Sequence, residues 1–199
     1  MNYIVYDTEF SQPQPKLYNV NSRFRPNPIS PFEIIEIGAV KVNDHLEITD
    51  SFQRLVRPAI YKRLSPIVVR KTGITKRELL TKGENFRKVI QDFKKWAGRD
   101  FILCTWSSND VMILRKNCRF HRMECDWLHQ YYDVQKHCSR LLGLPEHQAI
   151  GLKRALNVLQ IDVEGKLHRA LEDAFHTAKI LVKILRQEES LVRERFRFL

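Results

Sequence analysis

The chain has 199 residues, 43% of them hydrophobic and 29% charged, and its 34 Lys and Arg outnumber 23 Asp and Glu to give a net charge of +11. That size suits one domain spanning residues 1–199, with a core over about 2–185 and a basic tail over 186–199. The positive balance favours a polyanionic partner, and no apolar run reaches membrane-spanning length.

In chain order, Tyr3-Ile4-Val5-Tyr6 is β-branched or aromatic and predicts a central strand that ends in Asp7-Thr8-Glu9-Phe10. Side chains two apart on a strand share a face, so Asp7 and Glu9 converge. Two carboxylates at the end of an apolar strand repel each other and lose hydration, which suits a hard cation such as Mg²⁺ or Mn²⁺ between them. Taken alone, the pair reads better as solvated acids where the chain leaves the sheet. A strand that starts at residue 3 leaves no room for a signal peptide. Residues 11–31 hold Pro13, Pro15, Pro26, Pro28 and Pro31 and predict a long connection. Its Lys16, Arg23 and Arg25, with Tyr18 and Phe24, read equally as strand contacts and as plain surface.

Phe32 to Val42 and Leu46 to Val56 predict two further strands around an Asn43-Asp44 turn, an antiparallel meander with the first. Tyr61 to Thr81 is expected to be irregular and basic, with Thr75 as a cap for a short helix. Its Lys62, Arg63, Arg70, Lys71, Lys76 and Arg77 are candidates to steer a polyanion. Asn85 caps a helix whose Phe86, Val89, Ile90, Phe93 and Trp96 recur at helical spacing and are assigned to the core. Phe101 to Thr105 is a short buried strand, and Ser107-Ser108-Asn109-Asp110 opens a helix. A strand is expected around Trp127, helices over 133–142 and from Leu152, and a last long helix over 170–185 with Ala174, Ala178, Leu181 and Leu185 as its apolar stripe. Three strands followed by alternating helices and strands make an α/β layered domain with a mixed sheet.

Cys104, Cys118, Cys125 and Cys138 form no Cys-x-x-Cys pair and fit a reducing, cytoplasmic setting. Cys118, His121, Cys125 and His129 have zinc-like residue types, but their helical spacing places them in a stripe that cannot wrap one ion.

Asp110 follows an apolar strand, where a capping or first-turn role is the plain alternative to chemistry. Asp173 lies between Ala170 and Ala174, small residues that let a helix approach a sheet closely, and a carboxylate buried there needs a partner. His168 precedes that helix, so a neutral imidazole there can move relative to Asp173 and accept a proton from water. A lone surface histidine is the default it has to beat.

Tyr6-Asp7-Thr8-Glu9, the Asn109-Asp110 helix start and His168-x-Ala170-x-x-Asp173-Ala174 together resemble the three motifs of the DnaQ-like, or DEDDh, 3′→5′ exonucleases. Glu33-Ile34-Ile35-Glu36-Ile37-Gly38-Ala39-Val40, Leu55-Val56-Arg57-Pro58 and Thr72-Gly73-Ile74-Thr75 resemble intervening landmarks, so the likeness covers about residues 2–185. Within the family the chain looks closest to the exoribonuclease branch with the KapD-type bacterial proteins and the histone-mRNA 3′-end exonucleases. The second motif departs from that branch, reading Thr105-Trp106-Ser107-Ser108-Asn109-Asp110 where an aromatic residue usually precedes the acid.

The resemblance implies a ribonuclease H-like three-layer fold with a mixed sheet of five to six strands. It implies two Mg²⁺ or Mn²⁺ ions held by Asp7, Glu9, Asp110 and Asp173, Asp7 bridging both and Asp110 acting directly or through water. His168 is the implied general base, and Thr8 and Phe10 are implied substrate contacts. The implied reaction is two-metal hydrolysis of single-stranded nucleic acid from its 3′ end to nucleoside 5′-monophosphates, with RNA favoured over DNA. The alternatives are the same chemistry on DNA, a non-catalytic binding protein of the same fold, and an RNase H-like endonuclease.

Overall fold

The computed structural model describes residues 1–12, 27–145 and 148–196, the last helix by its backbone alone beyond residue 188. Lys16, Tyr18, Arg23, Phe24 and Arg25 of the proline-rich connection lie outside the described residues.

Five strands form one mixed sheet: β1 (Asn2–Ser11), β2 (Glu33–Val42), β3 (Ile48–Leu55), β4 (Phe101–Thr105) and β5 (Tyr132–Asp133), in the order β3-β2-β1-β4-β5. The meander β1-β2-β3 is antiparallel, and β4 and β5 add in parallel beyond β1. Alternation along β1 splits the core in two. Ile4 and Tyr6 face α3 (Phe86–Ala97) and α4 (Ser108–Phe120), where they join Phe93, Val111 and Leu114. Val5 faces the other way, into the core shared with α5 (Val134–Leu141), α6 (Leu152–Val158) and α7 (Ala170–Phe196). Ala174, Ala178 and Leu181 of α7 are fully buried, as their helical spacing requires.

β1 departs from the expected strand in a way that opens a site. It does not end at the acids but stays paired with β2 as far as Ser11. Its pairing with β4 stops at Tyr6, opposite Thr105. Asp7 and Glu9 therefore have a strand on one side and an open edge on the other, where β4 gives way to α4. Open α/β sheets bind ligands at such carboxyl ends of strands.

Four other expectations are corrected. The 61–81 stretch is more regular than expected: besides the expected short helix, α2 (Lys76–Thr81), capped by Thr75 in a reciprocal box with Glu78, it holds α1 (Pro66–Thr72), capped by Ser65. Pro66 opens α1 because a first-turn residue has no intrahelical N–H bond to lose. No strand forms at Trp127; Asp126–Leu128 is a 3-10 turn, and the edge strand comes later, at Tyr132–Asp133. The stripe of Cys118, His121, Cys125 and His129 does not exist, since α4 ends at Phe120 and His121 stacks on Phe86 with ring centroids 4.6 Å apart. Helix α7 runs past Leu185 to Phe196. No helix among the described residues is long and apolar enough to cross a membrane.

Candidate active site

Asp7 and Glu9 sit half-buried on the α7 side of β1, two residues apart on one face. Opposite them on β2 stand Gly38 and Glu36 respectively. Gly38 is where α7 lands: a Cβ there would lie 2.0 Å from the Leu171 amide nitrogen and 2.2 Å from the Ala170 carbonyl carbon. The missing side chain lets the first turn of α7 rest on the sheet beside Asp7, and this brings in Asp173. His168, just before the helix, has φ of +71°, a left-handed conformation that a non-glycine residue adopts only under local constraint. Its backbone N–H donates to both Asp173 carboxylate oxygens, at 3.3 and 3.2 Å.

One ligand atom each from Glu9, His168 and Asp173 lie within 4.8 Å of one another, the one such group of three among the described residues. Asp7 and Asp110 stand beside that group rather than in it. Asp110, in the first turn of α4 and 8% exposed, does not cap its helix. Its Oδ1 accepts from the Thr8 amide (3.2 Å) and the Thr8 hydroxyl (2.7 Å), and its Oδ2 from the Thr105 hydroxyl (3.4 Å). Thr8, 3% exposed, is thereby turned toward Asp110 and the α4 side of the sheet. Phe10 is half-buried and packs edge-on against Phe32, 5.2 Å between centroids.

The acids raise one another. Burial, then the charges of Asp110, Asp173 and Glu9, push the Asp7 carboxyl well above the ordinary range. Glu9 is pushed up to about 8 by burial and by Asp173 and Glu36. Burial raises Asp110 to about 6 against the hydrogen bonds from Thr8 and Thr105. Asp173 is also raised by burial, with the His168 N–H pulling the other way. No hydrogen bond from a described residue reaches the Asp7 or Glu9 carboxylate. Oxygen donors that are crowded, partly dehydrated and without donors of their own fit a hard divalent cation.

Two charged residues that the motifs did not single out complete the surroundings. Glu36 is fully buried, and its carboxylate takes the Arg169 guanidinium through Nε (3.2 and 3.1 Å) and Nη2 (2.6 Å). It also accepts from the Gln53 side chain (2.8 Å) and from the Ala170 N–H (3.0 Å) at the start of α7. On the far side of His168, a cleft of about 960 Å³ is lined by Lys153, Arg154, Asn157 and Val163 together with His168 and Asp173. Lys62, Arg63, Arg70, Lys71, Lys76 and Arg77 are all exposed on or near α1 and α2. The turn after α1 reaches the loop before His168, since a Cβ on Gly73 would lie 3.4 Å from the Lys166 ammonium.

The chain as a whole is similar to known proteins. An exonuclease family model, RNase_T, matches residues 4–181. The chain belongs to this exonuclease family. The 3′-5′ exoribonuclease 1 of Mus musculus is 28% identical over 165 residues, covering 77% of this chain and 47% of that protein. The PolC-type DNA polymerase III of Bacillus subtilis (strain 168) is 30% identical over 164 residues, covering 77% of this chain and 10% of that one. The exonuclease-family chain thus spans about half the length of the exoribonuclease and about a tenth of the polymerase. The nuclease domain of 3′hExo, a DEDDh family member bound to rAMP, matches with a TM-score of 0.78 and 26% identity, over 94% of this chain and 92% of that one. The mixed sheet flanked by helices is the ribonuclease H-like fold of these exonucleases.

Proposed function

We propose that this domain is a 3′→5′ exonuclease that hydrolyses single-stranded RNA ends and releases nucleoside 5′-monophosphates. The observation that carries the reading is the meeting of Glu9, His168 and Asp173 within 4.8 Å at the open edge of β1, beside Asp7 and Asp110. Asp7, Glu9 and Asp173 would hold the Mg²⁺ or Mn²⁺ ions, with Asp110 supporting from the α4 side. Bound there, such ions supply Lewis-acid polarisation of the phosphate and charge relief for the departing oxygen. His168 takes the proton of the attacking water as its oxygen bonds to phosphorus. The bond from phosphorus to the 3′-oxygen breaks, and that oxygen gains a proton from solvent to become the new strand end. The exposed cations of α1 and α2 and the Lys153 and Arg154 wall draw the strand in, so turnover falls steeply with salt. RNA as substrate rests on likeness to an exoribonuclease and to an rAMP-bound nuclease domain.

Likeness to the PolC-type polymerase favours the same chemistry on DNA as the second reading. The test is parallel digestion of 5′-labelled RNA and DNA of one sequence in Mg²⁺, in Mn²⁺ and in EDTA, with Asp173→Ala as control. A metal-dependent ladder shrinking from the 3′ end, faster on RNA, is expected. A ladder on DNA alone moves the substrate to DNA, and no ladder with tight binding retained makes the domain a binding protein.

A further inference from the structure

His168 has to present its ring to the acids from a loop, not from a helix, and its left-handed backbone must be held. Two tethers hold it. One is its own N–H on Asp173. Those same carboxylate oxygens are the ones a cation would take, so this tether competes with metal binding. The other runs through the next residue: Arg169 forks into Glu36, and Glu36 also accepts the Ala170 N–H. This second tether uses no metal-ligating atom. It is anchored on β2 directly opposite Glu9, so the strand pair that places a metal ligand also places the loop bearing the base.

We propose that Glu36 and Arg169 are positioning residues that fix His168 for proton transfer, acting through the backbone on either side of Arg169. This rests on the reading of His168 as the general base. The geometry explains why an acid sits within the apolar run Ile34-Ile35-Glu36-Ile37: its charge is fully matched and its job is orientation. A misplaced base slows the chemical step and leaves strand binding alone, since neither Glu36 nor Arg169 lines the cleft beside His168.

The test compares the full chain with Glu36→Gln, Arg169→Met, the two combined, His168→Ala, and the pair added to His168→Ala, reading kcat, KM and Tm on 5′-labelled single-stranded RNA. Each single change leaves one charge without its partner and lowers Tm; the combined variant leaves none and regains it. Positioning predicts that kcat stays down on the order of a hundredfold in the combined variant, with KM within about threefold of wild type. It also predicts that adding the pair to His168→Ala costs nothing further. A combined variant that regains kcat along with Tm overturns the proposal, as does a further hundredfold loss on top of His168→Ala. Wild-type turnover in His168→Ala overturns the base assignment and the tether with it. A crippled His168→Ala beside a fully active combined variant overturns the tether alone. A wild-type chain that shortens no strand removes both this inference and the exonuclease reading.

Discussion

Glu9 and Glu36 face each other across the β1–β2 ladder, yet their surroundings are opposite. Glu36 is fully buried and saturated, with the Arg169 guanidinium, the Gln53 amide and the Ala170 N–H on its oxygens. Glu9 keeps some contact with solvent, receives no hydrogen bond from a described residue, and is pushed up to about 8 by burial and by Asp173 and Glu36. One strand pair thus carries a carboxylate whose charge is fully matched and, directly opposite, one whose charge is left to be matched from outside. On the proposed function the first orients the loop that bears His168 and the second is an oxygen donor suited to a cation.

Neutralising each acid in turn breaks this comparison most sharply. Glu9→Gln is expected to lower kcat on the order of a thousandfold, equivalent to about 4 kcal/mol, because the proposed metal ligand is lost. In EDTA at alkaline pH the same change stabilises the fold by about 1 kcal/mol, because it removes a crowded charge. Glu36→Gln does the reverse to the fold, costing about 2 kcal/mol, since Arg169 loses its partner but at 32% exposure keeps some water. Thermal melts of the two variants in EDTA should move in opposite directions. Melts that move the same way would show that the two glutamates are equivalent.

Gly38 is next in size. Because α7 lies on it at 2.0 Å from where a Cβ would sit, Gly38→Ala forces the first turn of α7 off the sheet. A loss of about 3 kcal/mol is expected in chemical denaturation, with turnover lost as well, since Asp173 and His168 travel with that turn. An unchanged denaturation midpoint would show that α7 is placed by Glu36 alone.

Much of this was legible in the sequence for reasons that differ by residue. The alternation Ile4, Tyr6 against Val5 marks a strand buried on both faces, and the period-two spacing of Asp7 and Glu9 puts them on one side. What the residues could not show is where β4 stops, because that depends on pairing with another strand; hence the acids looked terminal when only one of their two neighbours ends. Glu36 and Gly38 did leave signals: a charge within an apolar run requires a partner, and a strand glycine marks a close approach. Neither signal names Arg169 or α7, 133 residues away in the case of the Glu36–Arg169 bond. Trp127 misled because apolar aromatic content suits both a strand and a turn packed on the core, and it packs beside Phe93 at 6.0 Å.

The titration of the open carboxylate gives a smaller effect. Glu9 goes from an ordinary 4.5 to about 8, and Asp110 from 3.8 to about 6. An acid with a raised folded pKa binds more protons folded than unfolded between the two values. Stability of the metal-free protein therefore falls as pH rises from about 4.5 to 8. The change expected in EDTA is on the order of 1–2 kcal/mol, solvent contact at Glu9 screening the rest. Saturating Mg²⁺ should flatten or reverse the slope, because the cation takes the place of the protons and binds more tightly as pH rises. A pH slope that is the same with and without Mg²⁺ would place the cation elsewhere.

The smallest effect concerns the strand itself. On the proposed function, in EDTA the ionised acids would repel a phosphate chain that the cations of α1 and α2 would attract. Above about pH 8, where the metal-free Glu9 is ionised, removing its charge should tighten single-stranded RNA binding by about threefold at low salt, roughly one screened charge at cleft distance. Glu36 is fully buried, so removing its charge should give a smaller gain. Both gains should shrink as salt rises, since screening acts on repulsion and attraction alike. Equal gains for the two variants would mean that the strand feels only the net charge of the domain. A gain confined to Glu9→Gln means that the strand end passes over the open edge of β1, where the cation is expected.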